Sequence, residues 1–262
     1  MSPKLKTNLK YASLIFICYV VFLIATLPAS VAYSIWTHLN AKSRTPVQLY
    51  DIDGTVWSGQ IGKATINGQN INTIRWNVNL STLFLGIMEA DFDLAVPDGF
   101  AKGTAGYSLL GSLYFNNVEA WLPLPHIDNL INLAALKPGG AVDIKLANVK
   151  ISSDKAIVSA RGDIAWHSAE MTMFKKLSLG DLQITFEPND DGTKGVISDQ
   201  GGPLTAQGIL QLNADKSYTF NGAFGLRGEQ PDLQAALTTM GRFDRDGKVK
   251  VSLKGNLAQF GF

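Results

Sequence analysis

The stretch Glu89-Ala90-Asp91-Phe92-Asp93-Leu94-Ala95-Val96, running into Pro97-Asp98-Gly99, decides the fold class. Polar and apolar residues largely alternate along it, which is the period of a strand with one wet face and one dry face, and Pro-Asp-Gly closes it as a turn. The same logic marks strands at Ala141–Ile151, Ala156–Trp166, Leu179–Phe186, Leu204–Leu212, Tyr218–Leu226 and Lys248–Leu253. Asn189-Asp190-Asp191-Gly192, Asn213-Ala214-Asp215 and Asp246-Gly247 serve as connections. Neighbouring strands joined by such short turns are antiparallel. The expected fold is therefore mainly β: antiparallel, glycine-punctuated sheets, arranged as a curved sheet or as a sandwich or groove.

Two short helices interrupt the strands. Ile127, Leu130, Ile131 and Ala134 fall at helical spacing between Pro125 and Pro138-Gly139, and Leu233, Ala236, Leu237 and Met240 repeat that spacing between Pro231 and Gly241. Each carries one apolar stripe to lay on a sheet. Their similar placement hints at an internal duplication, 46–139 against 140–262, although no fixed period is visible.

Outward from the β region lies a different kind of sequence. From Tyr11 to Ala41 there is no Asp, Glu, Lys or Arg, and Ala12 to Leu27 is almost wholly apolar. A membrane-spanning helix needs roughly 20 apolar residues, and 11–35 supplies them, with Tyr33 and Trp36 as interfacial anchors. Lys4, Lys6 and Lys10 precede the run, so the positive-inside rule keeps residues 1–10 in the cytoplasm and exports the remainder. Ser30-Val31-Ala32 offers the rival possibility of a cleaved signal peptide; the length of the apolar core favours retention as an anchor. The expected organisation is a cytoplasmic 1–10, an anchor helix 11–35, a linker 36–45 and a periplasmic β-rich domain 46–262. The lone Cys18 sits inside the apolar run, so no disulfide can staple the exported part.

With 46% apolar and 17% charged residues a folded core is expected. The formal charge is +1, and no basic patch recommends nucleic acid as a partner. The search for chemistry returns little. His38, His126 and His167 have no spacing that builds a zinc site or a Ser-His-Asp group. Gly106-Tyr107-Ser108-Leu109-Leu110-Gly111 misses the nucleophile-elbow spacing by one residue and lies in a β stretch. Asp51-Ile52-Asp53-Gly54 and Asp244-Arg245-Asp246-Gly247 bring their glycines too early for a calcium loop and have Gly62 and Gly255 where a carboxylate should close it, so hairpin turns explain both. No catalytic, cofactor-binding or metal-binding residue is assigned, no cofactor is expected, and the chain is not expected to be an enzyme.

The most distinctive cluster is Gly54-Thr55-Val56-Trp57-Ser58-Gly59, followed by Trp76. It suggests a strand with glycine at both ends and Trp57 buried in the core. With the single apolar span ending in Leu27-Pro28-Ala29, then Leu179-Gly180-Asp181-Leu182, Gly201-Gly202-Pro203-Leu204 with Gly208, Tyr218 to Gly222, and a close through Leu233, Leu237, Gly241, Asp246-Gly247 and Gly255, the pattern resembles protein N of the type II secretion system of Gram-negative bacteria. That resemblance implies a single-pass inner-membrane accessory of the secretion apparatus, with the secretin and the inner-membrane platform proteins as partners, and it brings no catalytic residue. Two further readings stand beside it: a lipid-binding or lipid-transfer protein with an apolar β groove, and an envelope hydrolase resting only on scattered Ser, Asp and His.

Overall fold

The computed structural model describes residues 3–39, 47–66, 69–126, 137–172 and 175–260. Two helices come first, α1 (Pro3–Ala25) and α2 (Ala29–Leu39). The apolar run is thus divided at Leu27-Pro28, because proline cannot donate to the ladder of a continuing helix, and α2 takes up part of what reads as linker. Among the described residues no helix is long and apolar enough to cross a membrane.

The strands follow as β1 (Val47–Gly54), β2 (Ser58–Ile66), β3 (Gln69–Ile71), β4 (Thr73–Asn79), β5 (Ile87–Val96), β6 (Gly99–Ser108), β7 (Leu113–Pro123), β8 (Lys137–Ile151), β9 (Ile157–Thr172), β10 (Lys176–Asn189), β11 (Gly192–Asp199), β12 (Leu204–Asn213), β13 (Ser217–Leu226) and β14 (Lys248–Asn256). They form one antiparallel sheet in chain order, with only β3 off the path as a short partner of β2. Every strand inferred from alternation is present. A helix, α3 (Pro231–Met240), stands where Leu233 to Met240 foretold it. The helix expected at Ile127 to Ala134 lies outside the described residues. β8 runs across 139/140, with a register shift against β9 between Gly139 and Ala141.

Register sorts the two faces. Ile74, Leu94, Ala101, Ala120, Ile144, Ile164, Ile184 and Ile197 are direct cross-strand partners in succession, and the row continues through Gly208 and Gly222 to Val251. One residue along, on the opposite face, Arg75, Asp93, Lys102, Glu119, Lys145 and Asp163 form a second row in which the charge alternates at every step. Since side chains in a strand point alternately to the two faces, the apolar row marks a dry face from β4 to β14 and the charged row a wet face from β4 to β9. Beyond β9 that second row runs through Thr185, Val196, Ile209, Asn221 and Ser252.

The dry face is curled rather than flat. Strands two places apart in a flat sheet lie roughly 10 Å from each other, yet Thr193 Oγ1 of β11 accepts from the Ala160 N–H of β9 at 2.9 Å. The β9–β10 pairing ends at Gly162 and Phe186, and beyond it β11 folds over to meet β9 directly. Thr193 is fully buried there. α3 completes one end of the dry face: Leu233 and Leu237 pack with Leu204, Ala206 and Val249, against Leu179, Leu182 and Phe224. A satellite cluster of Ile61, Ala64 and Ile71, with Leu49, Ile74 and Trp76, fills the start of the sheet.

Candidate functional site: the helix–sheet junction and the apolar face

The last carbonyls of a helix have no partner within it. In α1 that of Ile24 accepts the indole N–H of Trp57 at 2.8 Å, and just past the helix Leu27 O accepts the Val56 N–H at 3.0 Å. Pro28 bridges to Thr55. Trp76 donates Nε1–H to Val56 O at 3.1 Å, and the Val78 N–H reaches Trp57 O at 2.6 Å. α2 adds a weaker tie, from Leu49 N–H to the Tyr33 hydroxyl at 3.4 Å.

These contacts correct the expectation for Trp57. It is half-buried, and Gly54 and Gly59 flank the β1–β2 turn rather than a strand. A Cβ on Gly59 would sit 2.5 Å from Asp53 O and 2.6 Å from the Trp76 ring, so glycine is needed for the tryptophan to pack. Sequence reasoning found the cluster but assigned it to the core; the usable signal was that Trp57 and Leu27-Pro28 are both breaks in otherwise regular segments.

The second feature is a cavity of 350 Å³ on the dry face. Val142, Ile164, Trp166, Leu182, Ile184 and Ile197 form its floor and Leu124, Pro138 and Met171 its rim. Trp166 is held by Nε1–H donation to Gly139 O at 2.8 Å. Near the same end, Gly180 of the Leu179-Gly180-Asp181-Leu182 motif meets the Gly201-Gly202 pair so closely that a Cβ there would lie 2.3 Å from Gly201 O. The motif glycines thus allow β10 and the β11–β12 turn to touch.

The titratable groups with a clear shift sit in ion pairs and turn hydrogen bonds. Burial pushes the Asp199 carboxyl up, but the Ala206 N–H and the Arg227 guanidinium outweigh it and hold the group below its ordinary range. Lys145 is raised by its hydrogen bond and ion pair with Asp143 and by the fields of Glu119 and Asp163. His167 Nδ1 lies 3.6 Å from Asp181 Oδ2, with its ring 5.6 Å from that of Trp121, and His38 lies on α2. His126 closes the short 3-10 turn after β7. Ser108 is buried at the end of β6, where its hydroxyl accepts the Ser112 N–H at 3.3 Å, in a strand-to-strand turn. Asp244 accepts from the Asp246 and Lys248 amides, so its run is a hairpin turn. Among the described residues no group of three His, Cys, Asp or Glu side chains could hold a metal ion.

An antiparallel meander with a dry face, a charged row opposite it from β4 to β9 and a first turn tied to an apolar helix defines the structural class. Within that class the chain belongs to the type II secretion system (T2SS) protein N family, whose model matches residues 45–252. It is similar to the type II secretion system protein N of Aeromonas hydrophila, 22% identical over 259 residues that cover 97% of this chain and 100% of the relative. That of Vibrio cholerae serotype O1 is 26% identical over 80% of this chain and 85% of its own length. That of Klebsiella pneumoniae is 24% identical over 83% and 89%. No solved structure matches.

Proposed function

We propose that this chain is a non-enzymatic, single-pass inner-membrane component of the type II secretion machine, with its sheet in the periplasm and its partners among the secretin and the inner-membrane platform proteins. The observation that carries the reading is the exposed apolar surface of the N-terminal run. No described helix is by itself long and apolar enough to cross a membrane, but Leu14, Ile15, Phe16, Ile17, Val21, Phe22, Leu23 and Ile24 of α1 are all exposed. The uncharged run continues past α1 to residue 41, and the far end of α1 is bound to the sheet. So much apolar surface is stable only when removed from water, and a bilayer does that. The Trp57 and Tyr33–Trp36 rings then stand at the interface, where amphipathic aromatics are favoured. Partners have the outer strands β1 and β14 to pair with, β14 beyond Val249, where its bridge to Phe243 ends.

The test is twofold. In spheroplasts, protease should digest the sheet from outside, and carbonate washing should leave the chain in the membrane. Pull-down of the solubilised protein from a secreting strain should recover secretin or platform subunits. Release by carbonate sinks the anchor, and recovery of neither subunit together with unimpaired secretion in a deletion strain sinks the role.

A second reading is favoured by one specific observation, the continuous dry face with its apolar cavity. Sites for small molecules run roughly 300–1,000 Å³, so the cavity suits a stretch of acyl chain bound along the face. Native mass spectrometry of the detergent-exchanged protein should then find phospholipid, lost on Ile164→Asp. A lipid-free protein ends this reading.

A further inference from the structure

In an antiparallel meander successive turns alternate between two ends, so the turns at the end where α1 joins the sheet can be named. They follow β1, β4, β6, β8, β10 and β12, since Ser58 pairs Asn77, Ile87 pairs Ser108 and Leu113 pairs Ile151. Two of them are unlike the rest. The β4–β5 turn carries Leu83, Phe84 and Leu85 on a 3-10 turn, with Phe84 93% and Leu85 77% exposed, and the β6–β7 turn carries Leu109 and Leu110, each 87% exposed. The two tips are one unit: the Leu109 N–H donates to Gly86 O at 2.9 Å. No charged residue occurs in 80–88 or 103–115.

Position gives these side chains their meaning. The later tips at the same end hold Asp154 and Lys155, Asp190 and Asp191, and Asp215 and Lys216, while the opposite end turns on Pro97-Asp98, Arg227-Gly228-Glu229 and Asp244 to Gly247. Among the described turns, apolar tips thus occur at the end that faces α1 and in the strands nearest to it. Exposed Leu and Phe with no charge around them mark a contact with something apolar.

We infer that the 80–86 and 109–110 tips dip into the same bilayer that holds α1, giving the sheet a second membrane contact. This rests on the anchor reading above. A single helix leaves the sheet free to swing about its junction, whereas two apolar prongs beside it fix the tilt of the sheet, with the charged tips lifted clear into water. The occupant is lipid acyl chains at the interface, and no headgroup charge is called for.

The experiment uses the full chain in phosphatidylcholine–phosphatidylglycerol nanodiscs. The only cysteine, Cys18, lies in α1, so one sample labels it with a fluorophore to report the anchor. Three others carry Cys18→Ala with Phe84→Cys, Leu109→Cys or Glu229→Cys, labelled alike. Doxyl-lipid quenchers should remove most of the emission at 18, 84 and 109 and leave 229 unchanged, with aqueous iodide acting in the reverse order. Quenching at 18 with none at 84 and 109 overturns the inference and leaves the anchor standing. No lipid quenching at 18 overturns the anchor, and the inference with it.

Discussion

Trp57 shows how one side chain can be conspicuous in a sequence for a reason other than the core. Its ring sits in a turn, its N–H closes a helix end, and its carbonyl holds Val78. Trp57→Phe keeps most of the ring and loses one hydrogen bond, worth about 0.5–1.5 kcal/mol. That loss should fall on the junction: amide exchange at Val56, bonded to Leu27 O, is expected to quicken while the melting of the sheet stays nearly unchanged. A large fall in melting temperature would return Trp57 to the core. Gly59→Ala should do more, because the new methyl meets a backbone oxygen and the Trp76 ring together; a loss of about 1–3 kcal/mol is expected in denaturant unfolding. Asp199 sets a pH dependence. Its folded carboxyl is held below its unfolded value of about 3.9, so the clip to Arg227 and Ala206 is intact above that value and is lost as pH falls through the folded one. Amide protection at Ala206 should therefore drop on acidification below about pH 4, and Asp199→Asn should abolish that pH step.

Elements explain why those residues matter. α3 covers the end of the dry face with Leu233 and Leu237, both buried. Leu237→Ala leaves a cavity against Leu204 and Val249 and should cost about 2–5 kcal/mol, read as a lower urea midpoint. An unchanged midpoint would mean α3 is an appendage. On the wet face the charge row stabilises each strand pair only slightly, since exposed pairs are worth about 0–1 kcal/mol. Its larger consequence is register: a slip by one residue would move charges onto the dry face. Glu119→Lys places a new cation directly between Lys102 and Lys145, and should lower the melting temperature more at low salt than at high salt.

At the scale of the whole molecule the sheet behaves as a chain of neighbours. Most strands are held chiefly by those beside them in sequence, with the β9–β11 contact at Ala160 and Thr193 as an exception, and among the described residues no strand joins β1 to β14. The longest ladders are central, with β8, β9 and β10 at 15, 16 and 14 residues. Hydrogen exchange should accordingly be slowest there and quicken toward β1 and β14, as in other quasi-linear folds. Uniform protection would show instead that the sheet unfolds as a single unit. Sequence periodicity was enough to place β5, β8, β9, β10, β12, β13, β14, α3 and the apolar N-terminal run, because each is a local pattern of burial; β1, β7 and β11, whose apolar residues do not alternate cleanly, were not legible in it. It also carried the resemblance to the family, through spaced glycines and tryptophans. The tertiary structure alone decided that all the strands share one curled sheet and that Trp57 serves the junction. It alone put the Leu83–Leu85 and Leu109–Leu110 tips beside α1. Those facts depend on which strands pair and which turns share an end, and local periodicity holds no record of either.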